Sequence, residues 1–415
     1  MRTKPQVLIS GASIAGPALA FWLCRAGFEV TVVEKAPALR EGGYRVDIRG
    51  AAGKVMEKMG LMEAVRRQHT SLKGSSLVNR QGKRILDIAD PNVLGMRQTE
   101  DAEILRGDLS RLLYDVTKED VLYIFNDTIT GLSETEDGIL VSFQKGYPCL
   151  FDLVIGADGL RSNVRRLVFK EDEIAIRSLG HYVSIFSIPN YFNLDRWELS
   201  WAAGGKVINV YGLDKTEEAK AVFMFAAPSP DYHCRDMEGQ QQVLREHFSG
   251  KDWDADRLLS SLTGSRDFYF DAMCQVKAHR LSKGRVILLG DAGYCPSPAS
   301  GQGTSMAIVG AYVLAGELTQ SLYEGGRNDP YRLAGLRYER EMETFIEKNQ
   351  ALALTVLKEM IPKSSLKRSF QLTVLRMIPT SSRKKLLKKI LQGLQESVDE
   401  AANAITLKEY PQLGI

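Results

Sequence analysis

The sequence predicts an α/β fold: a parallel-sheet domain, interrupted by a β-rich insertion and followed by a C-terminal helical tail. Three observations carry this expectation. The chain opens on a strand–turn–helix–strand pattern. Two more buried strands, each ending in a tight turn, recur near Asp152 and Val286. Between those two the composition changes to short strands rich in aromatic residues.

The opening stretch runs from Gln6 to Glu34. Val7, Leu8 and Ile9 form an apolar run suited to a strand buried on both faces. Gly11, Ser13 and Gly16 occupy the three marked positions of a G-x-G-x-x-G turn, with serine in place of the middle glycine. A helix is expected from about Ile14 to Ala26, closed by Gly27. Val30, Val32 and Val33 make the second strand, and Glu34 ends it. Such a turn offers unpaired helix N–H groups to a pyrophosphate. An acid at the end of the second strand takes the ribose hydroxyls. Glu34 would repel a 2′-phosphate, so this Rossmann-like unit is expected to hold FAD or NAD rather than NADP.

The whole-chain properties narrow the class. The 415 residues allow two domains, or one large α/β domain with an inserted sheet. A hydrophobic fraction of 44% and a charged fraction of 25% are ordinary for a globular protein. The net charge of +3 points to no nucleic-acid partner. The five cysteines are scattered without a C-x-x-C, which fits free thiols in a reducing compartment. The start enters the first strand directly and no apolar run reaches membrane-spanning length, so a cytoplasmic protein is expected, acting as a monomer. The histidines show no metal-ligand spacing, and no metal is expected.

Beyond Glu34, Tyr44–Ile48 reads as a short strand and Ala51–Met59 as a helix. Arg40, Arg45 and Arg49 between them are either solvated surface or cations facing a cofactor. Residues 72–88 read as two strands turned at Gln81-Gly82. Leu105, Leu109, Leu112 and Leu113 recur at helical spacing, with Arg106 just before the helix start. Strands are expected near Leu122–Phe125 and Gly138–Phe143. Asp152–Ile155 is a buried strand that turns at Gly156-Ala157-Asp158-Gly159 into an arginine-rich helix, a setting where backbone can approach phosphates.

From Ile174 to Met273 the short strands would roof a flat, apolar pocket, with Phe186, Asn190, Phe192, Trp197, Trp201, Phe223 and Phe225 as candidate wall residues. At period two, about half of these face the insertion's own core instead. Val286–Leu289 is again a buried strand. Gly290-Asp291 turns at its end, and Gly301-Gln302-Gly303 opens a long helix. The expected division is 1–173 with 274–325 as the nucleotide-binding domain, discontinuous and with room near 72–100 for small strands of the substrate sheet, 174–273 as the β-rich substrate domain and 326–415 as C-terminal helices.

GASIAG with Glu34, GADGLRSNVRR and RVILLGDAGYCPSPASGQG, in that order, resemble the class A FAD-dependent aromatic hydroxylases, the para-hydroxybenzoate hydroxylase-like family. GGYRVDIRG, EILRGDL, SIPNYFNLD, YFDA and the run from Tyr294 to Leu318 are similar to the tetracycline-inactivating monooxygenases, the tetracycline destructases. The resemblance implies FAD, with Gly11, Ser13, Ile14, Ala15, Gly16, Glu34 and Lys35 at its ADP half and Arg40 and Arg106 beside it. It places Asp158 and Gly159 against FAD and a transient NADPH or NADH. Gly290 and Asp291 fall at the ribityl or pyrophosphate oxygens, and Pro298, Gly301 and Gly303 around the isoalloxazine ring. Phe186, Asn190 and Phe225 are the expected substrate contacts.

The implied reaction uses NAD(P)H and O2 to hydroxylate a polycyclic, phenolic or enolic substrate through a flavin C4a-hydroperoxide, with tetracyclines as the favoured substrate. No catalytic acid or base is assigned. The alternatives are a hydroxylase of another aromatic or polyketide metabolite, an FAD-dependent reductase, or a non-catalytic flavoprotein that sequesters a drug. Cys295 stands where many of the family carry another residue, and reads as a small buried side chain, with a covalent flavin link as the alternative. The basic tract from Lys363 to Lys389 is a docked amphipathic helix, a lid at the substrate opening, or a contact for an anionic membrane surface.

Overall fold

The computed structural model describes residues 4–40, 42–70, 72–89, 98, 100–213, 216–228, 236–250, 252–265, 267–325, 329–361 and 392–414. Gln6–Ser10 is the middle of a six-stranded sheet. It pairs in parallel with Leu153–Gly156 on one side and with Glu29–Glu34 on the other. Val286–Leu288 and Val121–Phe125 extend the sheet in parallel, and Ser282–Lys283 closes one edge antiparallel. Val7, Leu8 and Ile9 are fully buried, as a strand covered on both faces requires. Helix Ala15–Arg25 and helix Gly303–Glu324 pack on one face. The second is buried around most of its circumference, and its small residues let neighbours approach closely. A Cβ on Gly316 would stand 2.3 Å from the Tyr410 ring.

The seven-stranded sheet runs in the order Tyr269–Ala278, Ile174–Pro189, Glu218–Ala226, Lys206–Gly212, Trp197–Ala203, Gly74–Val78, Arg84–Ile88. The insertion enters on Ile174–Pro189 and leaves on Tyr269–Ala278, which pair antiparallel, so both crossings lie side by side. Gly74–Val78 adds in parallel to Trp197–Ala203, and brings a hairpin from the first half of the chain into this sheet.

One face of the sheet is covered by helices Met237–Phe248 and Ala255–Ser260. Burying each large apolar side chain there contributes roughly 1.5–3 kcal/mol. The opposite face turns toward the first sheet and leaves a cavity.

Some elements depart from the sequence reading. Ile129–Thr135 and Cys149–Phe151 join Gly138–Phe143 in a three-stranded sheet whose outer strands carry little periodic signal. Leu105 ends a strand, Ala102–Leu105, paired with Arg45–Ile48, and the helix begins one residue later at Arg106. The cause is tertiary: the Arg106 amide donates to the Tyr44 carbonyl at 3.0 Å.

C-terminally, helix Pro330–Met360 is followed by a helix over 392–402. The chain then runs back along Gly303–Glu324. Tyr312 Oη donates to the Lys408 carbonyl at 2.7 Å, and Tyr410 Oη to Glu317 Oε1 at 2.8 Å. The whole basic tract from Lys363 to Lys389 lies outside the described residues, which omit 362–391. Among those described, no helix is long and apolar enough to cross a membrane.

Candidate active site

A single cavity of about 1380 Å³ joins the glycine turn of the first strand to the free face of the seven-stranded sheet. That exceeds the roughly 300–1,000 Å³ of an ordinary small-molecule pocket, and suits a dinucleotide with a second molecule beside it. Gly11, Ser13, Ile14, Ala15, Glu34, Lys35, Arg40, Arg106, Asp158, Gly159, Asp291, Pro298, Gly301 and Gly303 all line it. Gly16 and Gly290 lie behind the lining and let the walls close up, since a Cβ on Gly16 would stand 2.0 Å from the Gly11 carbonyl oxygen.

The turn is built for backbone approach. Gly11 has φ +113°, and a Cβ there would stand 2.4 Å from the Ala157 carbonyl oxygen. No side chain caps the Ala15–Arg25 helix, so its first N–H groups are left to the cavity. Ser13, the departure from the glycine pattern, has a use. Its Oγ accepts from Arg106 Nη2 at 2.7 Å, and its carbonyl accepts from Ser110 Oγ at 3.0 Å. The Glu34 carboxylate is fixed by the Ala12 amide at 2.9 Å and the Ala36 amide at 2.8 Å.

Asp158 lines the cavity but uses its carboxylate on its own chain, accepting from the Asn163 and Val164 amides at 2.7 and 3.1 Å. Burial raises its pKa, against those amides and the Ser162 hydroxyl. Gly159 beside it has φ +79° and lines the cavity with its backbone. Two residues on, Arg161 makes a fork to Asp271, Nη2–Oδ1 at 2.7 Å and Nη1–Oδ2 at 3.1 Å, which ties this loop to the large sheet.

Asp291, Arg106, Tyr44, Tyr269 and Cys295 gather at the junction of the two halves. Burial raises the Asp291 carboxyl, and Cys295 and the Arg106 charge oppose it. Burial also raises both tyrosines, whose ring centroids are 5.7 Å apart, so they stay protonated donors at neutral pH. The Cys295 thiol is pushed well up by burial and stays unionised, in keeping with a small buried side chain.

Of the three loop cations, only Arg40 is exposed at the rim. Arg45 sits between Glu103 and Glu198 with its guanidinium 3.8 Å from the Tyr211 ring centroid. Burial works against that charge, and the two glutamates outweigh it, so its pKa rises. Arg49 pairs with Asp47 at 2.7 Å.

The substrate residues expected from sequence are corrected here. Phe186 and Phe225 are fully buried in the core beneath helix Met237–Phe248 and do not reach the cavity. Asn190 also lies away from it, where its side chain holds a loop through Leu194 and the Thr216 carbonyl. The reason is phase. Side chains alternate along a strand, and register pairs Phe186 with Ala221 and Phe225 with Tyr182 on the covered face.

The cavity face carries the intervening residues, Val183, Ile185, Val222 and Met224, with Asn209, Tyr211 and Tyr269 from other strands. Val356, Leu357, Ile361 and Val398 close it from the C-terminal helices. The alternation was readable in sequence but its phase was not. The YFDA segment did carry Tyr269 and Asp271.

The cradle, the fixed acid and the cavity size all fit FAD. Comparison with known proteins agrees. Residues 4–349 match the protein family described as FAD binding domain. An uncharacterized protein of Mycobacterium tuberculosis is 43% identical over 348 residues, 83% of this chain and 92% of that protein. A flavin-dependent monooxygenase of Legionella longbeachae is 38% identical over 363 residues, 88% of this chain and 91% of that protein. Among solved structures, tetracycline destructase Tet(55) superposes with a TM-score of 0.86 at 36% identity, covering 99% of this chain and 100% of its own. The chain belongs to the FAD-binding-domain family and is an FAD-dependent monooxygenase.

Proposed function

We propose that this enzyme inactivates tetracycline antibiotics by hydroxylation, consuming NADPH or NADH and O2. The observation that carries the reading is the likeness to Tet(55) over 99% of the chain, C-terminal helices included. It is supported by a cavity wide enough for a fused-ring substrate beside the cofactor. Bound FAD supplies the redox chemistry: two electrons from the nicotinamide, one oxygen atom of O2 to the substrate carbon and the other released as water.

The chain's own residues bind, orient and exclude water. Glu34 takes the adenosine ribose, held in place by Ala12 and Ala36. The turn at Gly11–Ala15 takes the pyrophosphate, and Arg106 supplies a cation beside it. Asp291, Pro298, Gly301 and Gly303 line the cavity, where Asp291 would hold the ribityl hydroxyls and the other three would border the ring. The apolar row of Val183, Ile185, Val222 and Met224 on the cavity wall would carry the substrate, and the C-terminal Val356, Leu357 and Val398 on the same wall would shut out bulk water.

The test is a purified, FAD-loaded enzyme with NADPH and O2 consumption followed with and without tetracycline. Drug-stimulated NADPH use with loss of the drug's absorbance supports the proposal. A yellow enzyme indifferent to tetracyclines removes the substrate and keeps the monooxygenase.

A further inference from the structure

We propose that Gln275 and Gln350, two side chains outside the cavity, are positioning residues that hold the Cys295–Ser297 turn against the flavin. The turn needs holding. Ser297 has φ +85° and ψ 145°, a region populated almost only by glycine, and it is 2% exposed. Such a conformation persists only where its surroundings over-determine it. Cys295, Pro296, Ser297 and Pro298 all line the cavity beside Asp291, so the turn's path sets the shape of the wall.

The over-determination comes from two buried amides. Gln275, 1% exposed on strand Tyr269–Ala278, donates Nε2 to the Pro296 carbonyl at 3.2 Å and to the Gln350 carbonyl at 2.7 Å. Gln350, 3% exposed in helix Pro330–Met360, donates Nε2 to the Val276 carbonyl at 2.8 Å and the Cys295 carbonyl at 3.5 Å. The Val276 amide completes the set by donating to the Cys295 carbonyl at 3.1 Å. Lys277 Nζ donates to Gln350 Oε1 and fixes which way that amide points.

Two glutamines with almost no exposure would be costly inside a core without such partners. Here their donors go to two consecutive carbonyls of one strained turn. A helix from the far end of the chain and a strand of the large sheet thereby meet on the wall of the flavin site. The inference rests on FAD binding and not on the identity of the substrate, so the tests need no drug.

Gln350→Glu keeps the shape and the Lys277 contact but removes the donor, and Gln275→Glu keeps the shape and removes the donor to the Pro296 and Gln350 carbonyls. In each, FAD is expected to leave about tenfold faster, the loss of one or two hydrogen bonds in a buried wall. The long-wavelength flavin band is expected to shift, and deuterium uptake over residues 293–301 to rise. Met342→Ala, in the same helix but fully buried in the core of the first domain and off the cavity lining, lowers Tm without these changes. Unchanged FAD release and turn exchange in the glutamine variants would overturn the proposal. So would the same changes in Met342→Ala, or failure of both glutamine variants to fold.

Discussion

The Glu34 carboxylate accepts the Ala12 amide at 2.9 Å, so the end of the second strand grips the start of the glycine turn. An acid usually read as a ligand for ribose is also a brace for the loop that meets the phosphates. Glu34→Ala removes both duties. The FAD dissociation constant is expected to rise roughly 10- to 100-fold, the range for lost hydrogen bonds to a charged group. Flavin fluorescence titration measures it, and an unchanged constant would contradict the assignment.

Gly11 and Gly159 separate strain from collision. Both have positive φ, +113° and +79°. A Cβ at Gly11 meets backbone at 2.4 Å, whereas one at Gly159 meets nothing within 4 Å. Gly11→Ala should therefore destabilise by about 3 kcal/mol or more, and Gly159→Ala by about 1 kcal/mol. Denaturation midpoints of the two variants decide this, and equal losses would mean that the close approach to Ala157 has no consequence.

Neighbours on one strand should behave as opposites. Phe225 faces the covered core and Met224 faces the cavity. Phe225→Ala is expected to cost about 3–5 kcal/mol of stability with little effect on FAD affinity. Met224→Trp narrows the cavity and should raise the KM for the proposed tetracycline substrate several-fold while the protein stays folded. A KM effect from Phe225→Ala at unchanged stability would reverse the facing assigned here.

Asp267 makes a stability contribution with a definite pH window. Burial opposes its ionisation, but Lys220 and the Ser187 amide, at 2.9 Å, outweigh burial and lower its pKa to about 2. A depressed carboxylate pKa stabilises the fold above its unfolded value near 3.8, and that contribution is lost as pH falls toward about 2. Discounted for solvent screening, Asp267→Asn should cost about 1–2 kcal/mol at pH 7 and nearly nothing at pH 2. Urea midpoints at the two pH values test the sign, and a cost that grows on acidification would refute it.

The dinucleotide cradle was legible because its physics is local. One contiguous strand–turn–helix–strand unit, Gln6 to Glu34, contains the glycines, the helix N-terminus and the acid, and each needs only its neighbours in sequence to adopt its shape. The turns at Asp158 and Asp291 were legible for the same reason. What Asp158 does there was not, because its carboxylate is claimed by amides that the following helix presents.

The substrate wall was decided by tertiary structure. Alternation says that Phe186 and Ile185 face opposite ways, but only the docking of helix Met237–Phe248 decides which face is core. Contacts between distant parts of the chain were likewise invisible: Arg45 with Glu198, Arg161 with Asp271, Gln350 with the Cys295 turn. By itself the sequence determined the dinucleotide-type cradle from Gln6 to Glu34, since backbone conformation there is set residue by residue. Only the packed structure decided which residues form the cavity wall opposite that cradle. That depends on the register and facing of elements far apart in the chain, and the energy that selects them is burial, which no single segment contains.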